Sequence, residues 1–200
     1  MDSWLKPVKT EISLNNGFVL LTIIATKGST PCTNGDKIVC TSNENAFGSI
    51  GGGNLEFKAL AFAQEMLAQK INSSQLIKYP LGATLGQCCG GYVKVLFESF
   101  TENDSALNHK DSWLDKVSAL HKKSEDFVLA TIIDNDQKKH QSAQKCIYTN
   151  NNFFSFLSNN KLSNFVEEIA SNMMQKPQSP SVVEFEDESK VMFQICLERV

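Results

Sequence analysis

Hydrophobic and polar positions alternate along the first half of the chain with helix periods and strand periods in turn. Trp4, Val8 and Ile12 are spaced for one face of a helix, and the apolar run that begins at Phe18 predicts a buried strand. In chain order, the predicted elements are a helix near 4–12, a strand over 18–26, a short strand over 37–41, a helix that begins near 54 and a strand over 93–97. This order predicts an α/β fold with mixed sheets flanked by helices.

The second half of the chain repeats this pattern. When the sequence is shifted by 109 positions, residues 3–24 align with 112–133 without a gap, and ten of these 22 pairs are identical. Weaker matches follow between 37–41 and 145–149 and between 94–97 and 190–193. The sequence therefore predicts a fold built from two internally related halves, 1–100 and 101–200, joined by a polar connection near 101–111 and packed together.

Composition excludes several classes of function. The net charge of −3 and the absence of a basic run argue against nucleic-acid binding. The N-terminal MDSWLKPVKT lacks the apolar segment of a signal peptide, and the longest apolar run, 18–25, is too short for a membrane span. The six cysteines include no CxxC pair, which disfavours a structural zinc site and a disulfide framework. We expect a cytoplasmic protein that binds no membrane.

The glycines are distributed unevenly between the two halves. All 11 lie between Gly17 and Gly91, and residues 92–200 contain none. The second half keeps the hydrophobic pattern without them, so a purely structural role does not explain why the first half retains them. We therefore predict that any functional site lies in the first half.

Two glycine-containing loops of the first half could hold an anion. KGSTP, 27–31, follows the long strand and offers backbone N–H groups and two hydroxyls; a plain turn is the alternative. FGSIGGGNLE, 47–56, places three glycines before a helix, where N–H groups can surround an oxyanion; a flexible turn is the alternative. Glu56 suits the helix dipole but would repel a fully charged phosphate. Neither loop is a dinucleotide or P-loop fingerprint.

A third loop, LGQCCGGY over 85–92, brings two adjacent thiols among glycines. Converging N–H groups would favour a thiolate, which could bind a soft metal, carry a persulfide or attack a disulfide. Small apolar fillers in a tight turn are the alternative. The other four cysteines are Cys32, Cys40, Cys146 and Cys196, and they are predicted to be buried fillers, with Cys40 and Cys146 at matching or nearly matching strand positions.

In this order, GSTP, GSIGGGNLE and LGATLGQCCGGYVKVLFE resemble the xanthine dehydrogenase accessory proteins of the XdhC/CoxI family. The resemblance is strong over residues 3–100 and weak beyond. It implies a chaperone, rather than a turnover enzyme, that binds the molybdenum cofactor (molybdopterin), supports its sulfuration and hands it to xanthine dehydrogenase or a related molybdoenzyme. A cysteine desulfurase is a further implied partner, and a homo-oligomer is left open.

The resemblance also implies a set of cofactor contacts. They are Gly28, Ser29, Thr30, Gly51, Gly52, Gly53, Glu56, Gln87, Cys88, Cys89, Gly90 and Gly91. The protein alone is expected to supply no metal site, although Cys88 or Cys89 would approach molybdenum. The sequence departs from the family pattern in two places. Cys32 stands where the family usually has Arg after GSTP, so an anion contact there would require Lys27 or Lys37 to take the role of that Arg. In addition, no Rossmann fingerprint follows.

Two other functions remain open from the residues alone. Cys88 or Cys89 could serve a thiol-dependent sulfur-transfer or redox protein. The chain could also be a non-catalytic docking module of a larger oxidoreductase system.

Overall fold

The computed structural model describes residues 4–82, 91–102, 112–133, 144–157, 159–185 and 190–196. The chain divides into two compact units with a boundary between residues 104 and 105. In the first unit the elements are α1 (Leu5–Ser13), β1 (Phe18–Lys27), β2 (Lys37–Thr41), β3 (Ala46–Gly48), α2 (Gly53–Gln69), β4 (Ser73–Pro80) and β5 (Tyr92–Phe100). In the second they are α3 (Trp113–Lys122), β6 (Phe127–Ile133), β7 (Lys145–Tyr148), β8 (Phe153–Ser155), α4 (Asn160–Gln175), β9 (Ser181–Glu184) and β10 (Lys190–Cys196).

Each unit is built on one five-stranded sheet. The strand orders are β3-β2-β1-β5-β4 and β8-β7-β6-β10-β9, so the two sheets have the same topology. The α/β class is confirmed. The mixed pairing is wrong, because every described strand pair is antiparallel. The reason is β4, an edge strand that the hydrophobic pattern does not predict: it follows α2 and reverses the chain, so that β5 returns antiparallel to β1.

The core of the first unit lies between the sheet and α2. Alternate residues of β1 point to this side, and they include Val19, Leu21 and Ile23. The helix contributes Leu55, Ala59, Ala63 and Met66 at helical spacing. The second unit repeats the arrangement with α4, whose buried residues are Leu162, Val166, Ala170 and Met173.

The opposite face of each sheet carries a buried lysine in the same register. In the first unit Lys37 lies opposite Thr22, donates to its hydroxyl at 3.0 Å and lies 5.7 Å from the ring centre of Trp4. In the second unit Lys145 makes the same contacts with Thr131, at 3.3 Å, and with Trp113, at 4.9 Å. These equivalent contacts support the prediction of two internally related halves.

Within the described ranges, no helix has both the length and the apolar character needed to cross a membrane.

Candidate functional site

The first two glycine loops lie against each other at the end of β1. A side chain cannot fit at Gly51, because a Cβ there would lie 2.7 Å from Cγ of Pro31 and 3.0 Å from its carbonyl carbon. Gly51 also has a φ of 101°, a conformation that favours glycine. The GSTP loop and the GGG loop therefore meet at the Pro31–Gly51 contact, and glycine is what permits the approach.

The described end of the third loop, at Gly91, lies against the start of the GSTP loop. A Cβ at Gly91 would lie 2.2 Å from the carbonyl oxygen of Lys27 and 3.4 Å from Cα of Gly28. The neighbouring Tyr92 pairs with Lys27 in the sheet. Gly91 therefore contacts the start of the GSTP loop, whereas Gly51 contacts its end at Pro31. The other predicted residues of the third loop, Gln87, Cys88, Cys89 and Gly90, lie outside the described residues.

The GSTP loop presents part of its polar surface to solvent. Gly28 and Ser29 are exposed, while Thr30 is half-buried. The Thr30 hydroxyl donates to the carbonyl of Cys32 at 2.9 Å, which stabilises the turn and leaves the oxygen able to accept a further hydrogen bond. Ser29 is therefore the more accessible hydroxyl for a ligand.

The GGG loop is organised around the carboxylate of Glu56. Its Oε2 accepts from the backbone N–H groups of Ile50, at 3.1 Å, and Gly52, at 3.0 Å, and from the Ser49 hydroxyl at 2.9 Å. The N–H of Gly51 donates to Ser49 Oγ at 3.2 Å. The sequence predicted that these N–H groups would meet an external oxyanion, whereas in the structure the chain's own carboxylate accepts from two of them. The predicted repulsion between Glu56 and an anion is accordingly strongest at this point.

The first turn of α2 has no side-chain cap, whereas the first turn of α4 has one. Gly52 occupies the N-cap of α2 without a side-chain cap, and a Cβ on Gly52 or Gly53 would meet no atom within 4 Å. In the second unit Asn159 caps α4 by accepting from the N–H groups of Lys161 and Leu162. The two units therefore differ structurally in the region where the sequence predicts a functional site.

Burial raises the pKa of three described cysteines, which makes their thiols poorly reactive. It raises the pKa of Cys32 to about 11, with a smaller contribution from the negative charge of Asp36. Burial also raises the pKa of Cys40 to about 11 and that of Cys146, in both cases against hydrogen bonds that lower it. Cys32, Cys40, Cys146 and Cys196 are all buried. Cys40 and Cys146 face the helix-covered cores of their units. When the strand registers of the two units are compared, Cys146 corresponds to Ile38, so the positions of the two cysteines match only nearly.

The two lysines that could replace the family's arginine differ in exposure. Lys37 is 9% exposed and its amino group contacts Thr22, so it does not reach the loops. Lys27 is exposed at the end of β1, beside Gly28 and Gly91. Lys27 is the cation that can serve an anionic ligand at this site.

The motif-based prediction did not include two residues that contribute to the GGG loop network. Ser49 connects the Glu56 carboxylate to the Gly51 N–H, and Ile50 donates its N–H to the same carboxylate. A hydroxyl two residues before the glycine run, with an acidic residue in the first turn of the following helix, is the signal in the sequence that could have indicated this network.

The GSTP and GGG loops lie in a part of the chain that is similar to a known protein family. Residues 13–80, which include the GSTP and GGG loops, match the family model of the XdhC and CoxI family. No curated protein matches the chain in sequence. A crystal structure described as a xanthine dehydrogenase from Bacillus halodurans matches with a TM-score of 0.62 and 16% identity over 94% of this chain, which shows a shared fold. This chain spans about half, 52%, of that chain. The resemblance predicted from the motifs is thereby confirmed, and the part of the chain that the family model matches is residues 13–80.

Proposed function

We propose that this chain is an accessory protein of a molybdenum hydroxylase and that it binds the molybdenum cofactor at the loops that follow β1, precede α2 and precede β5. One observation carries the proposal: Pro31 lies against Gly51, and Lys27 lies against Gly91, which is the described end of the third motif. The second unit, which has the same topology, has no glycine and caps its helix with Asn159.

The described residues fit the chemistry of this cofactor. When bound, it supplies a phosphate, a pterin with hydrogen-bond donors and acceptors, and a molybdenum atom held by sulfur. Since Glu56 holds a negative charge within the GGG loop, the phosphate belongs on the GSTP side, where Ser29 and Lys27 are exposed. The pterin donors belong near Glu56, in the open space beside Gly52 and Gly53.

A thiol role remains a proposal for Cys88 and Cys89. The high pKa values of Cys32 and Cys40 keep those two protonated at neutral pH, so neither supplies a thiolate. If the protein assists sulfuration, with a cysteine desulfurase as sulfur donor, the Cys88–Cys89 pair is the site we assign to it. A persulfide would add the mass of one sulfur atom to the intact chain, and a Cys88→Ala/Cys89→Ala variant would lack it.

Co-elution with the free cofactor tests the proposed function. Purified chain is mixed with molybdenum cofactor and separated by size, and molybdenum and pterin are measured in the protein fractions. We expect both to be retained, and we expect Ser29→Ala/Lys27→Gln to lose most of the retention while Lys6→Gln, on the exposed side of α1, keeps it. Lack of retention by the wild-type chain would contradict the function, and full retention by the double variant would contradict the placement of the phosphate.

The same separation, repeated with xanthine dehydrogenase added to the mixture, distinguishes the proposal from a docking module. A docking module predicts that the wild-type chain retains xanthine dehydrogenase but neither molybdenum nor pterin.

A further inference from the structure

A pair of lysines lies on the face of the first sheet that α2 does not cover, near the GSTP loop. Lys94 stands in β5 between Val93 and Val95, whose side chains belong to the core under α2. Because alternate residues of a strand point to opposite faces, Lys94 points away from that core. Lys78 of β4 is the direct cross-strand partner of Lys94, so both side chains rise from the same face.

Tyr92 connects these two lysines to a third. It precedes Lys94 by two residues and therefore shares its face, and its Cα partner in β1 is Lys27. The amino group of Lys78 lies 4.2 Å from the centre of the Tyr92 ring, a cation–π contact that holds this charge over the sheet. Lys27 and Lys78 are exposed, and Lys94 is half-buried. We call these three lysines, with Tyr92 between them, the lysine face.

The lysine face carries positive charge that the described residues do not neutralise. Like charges directly opposite each other destabilise a strand pair, whose Cα atoms lie only about 5 Å apart. No ion pair within the described ranges includes any of the three lysines. The next acidic residue on this face of β5 is Glu98, which lies four positions further on and is 1% exposed. The opposed lysines therefore weaken the sheet and leave charge available for an anionic partner.

The geometry of the lysine face suits an acidic protein surface. Strand β5 lies between β1 and β4, so its backbone N–H groups are engaged in the sheet and do not surround a small anion. The charges are instead spread over three neighbouring strands, a width of roughly 10 Å. Carboxylates distributed over a partner's surface match such an arrangement. Nucleic acid would require a larger basic surface, and the net charge of −3 opposes it.

We propose that the lysine face docks an acidic surface segment of the molybdoenzyme that receives the cofactor. This inference rests on the proposed function. Lys27 belongs both to the lysine face and to the start of the GSTP loop, so the docked enzyme lies beside the position proposed for the cofactor phosphate. Attraction between the lysine face and the acidic segment speeds their encounter and orients the enzyme toward the loops.

Binding of the full chain to cofactor-free xanthine dehydrogenase of the same organism, measured by biolayer interferometry, tests this assignment. We expect binding that weakens at least about tenfold between about 50 and 300 mM NaCl, because salt screens exposed charges. Lys94→Glu should weaken binding about tenfold at the lower salt concentration. It should not lower the urea midpoint, since it places opposite charges at the pair formed with Lys78. Lys70→Glu makes the same charge change at an exposed residue that ends α2, on the other face of the sheet, and should leave binding unchanged.

Several results would overturn the docking proposal. Equal weakening by Lys94→Glu and Lys70→Glu, or binding that does not respond to salt, would contradict it, and a lowered urea midpoint of Lys94→Glu would contradict the opposition of the two lysines. Loss of cofactor retention in Lys94→Glu with unchanged enzyme binding would assign the lysines to the cofactor instead. A wild-type chain that retains the cofactor but does not bind the enzyme would overturn the docking alone. A chain that binds the enzyme through Lys94 but retains no cofactor would overturn the proposed function alone.

Discussion

The contact between the GSTP and GGG loops makes a quantitative prediction for Gly51→Ala. At a φ of 101° an alanine is strained by about 1–2 kcal/mol. Its Cβ would in addition lie 2.7 Å from Cγ and 3.0 Å from the carbonyl carbon of Pro31, and an overlap of this kind costs about 1–3 kcal/mol. We therefore expect Gly51→Ala to lower the free energy of unfolding of the first unit by about 3 kcal/mol.

Gly53→Ala is the matched control. Gly53 also has a positive φ, of 64°, but a Cβ there would meet no atom within 4 Å, so we expect a loss of about 1 kcal/mol. Urea unfolding can be followed by the fluorescence of Trp4, which lies in the first unit, in a Trp113→Phe background. If Gly51→Ala were no more destabilising than Gly53→Ala, the two loops would not lie in contact and the site would lose its geometric basis.

Three further predictions concern the Glu56 network, the Asn159 cap and the buried thiols. Glu56→Ala removes the acceptor of two backbone N–H groups and should lower the free energy of unfolding by about 1–3 kcal/mol. Glu65 is exposed on the same helix, so Glu65→Ala should change the free energy of unfolding little. Equal effects of the two substitutions would contradict the network. Asn159→Ala should cost about 1 kcal/mol of stability in the second unit, read from Trp113 fluorescence, and no loss would mean that the cap is not formed. Cys32 and Cys40, with pKa values near 11, should resist iodoacetamide at pH 7.5 until the chain is unfolded, as peptide mass spectrometry can show.

The same thiols predict how stability depends on alkaline pH. Their pKa in the folded chain, about 11, is raised above the ordinary 9.0, so the folded state favours the protonated form. Their contribution to stability is complete below pH 9 and is lost as the pH rises from 9 to 11. A urea midpoint that stayed constant over that interval would contradict the burial of these two cysteines.

The fold class and the element order could be predicted because the buried strands and amphipathic helices have clear periods. The run from Phe18 to Lys27 and the helix face of Leu55, Ala59 and Met66 are examples. Strand β4 could not be predicted in this way, since none of its residues is fully buried and its hydrophobic positions do not alternate cleanly. The missing strand also explains the wrong prediction of mixed sheets.

The site could be predicted as a set of loops but not as a set of contacts. Glycine distribution indicated the half of the chain in which we propose the site, and the structure brings Gly51 to Pro31 and Gly91 to Lys27. The bonds from Ile50 and Gly52 to Glu56 depend on the path of the loop, which no periodicity reveals. The buried positions of Lys37 and Lys145 were likewise unexpected, although their equivalence in the two halves was a signal.

The contrast between the two units suggests how function and fold are divided. Both units keep the same strand order and the same buried lysine–threonine contact, so these features belong to the fold. The close loop contact at Gly51 and the uncapped helix start at Gly52 occur in the unit that carries the family segment. The glycine loops are therefore the part of the first unit at which we propose that a ligand binds.

Hydrogen exchange with and without the molybdenum cofactor tests the central claim most directly, namely that the ligand binds at the first-unit loops. The account predicts slower amide exchange in peptides covering 27–32, 48–56 and 85–92 when cofactor is added, and unchanged exchange in the equivalent peptide covering 155–162. Protection of 155–162, or no protection of 27–32 and 48–56 in a chain that retains the cofactor, would contradict it.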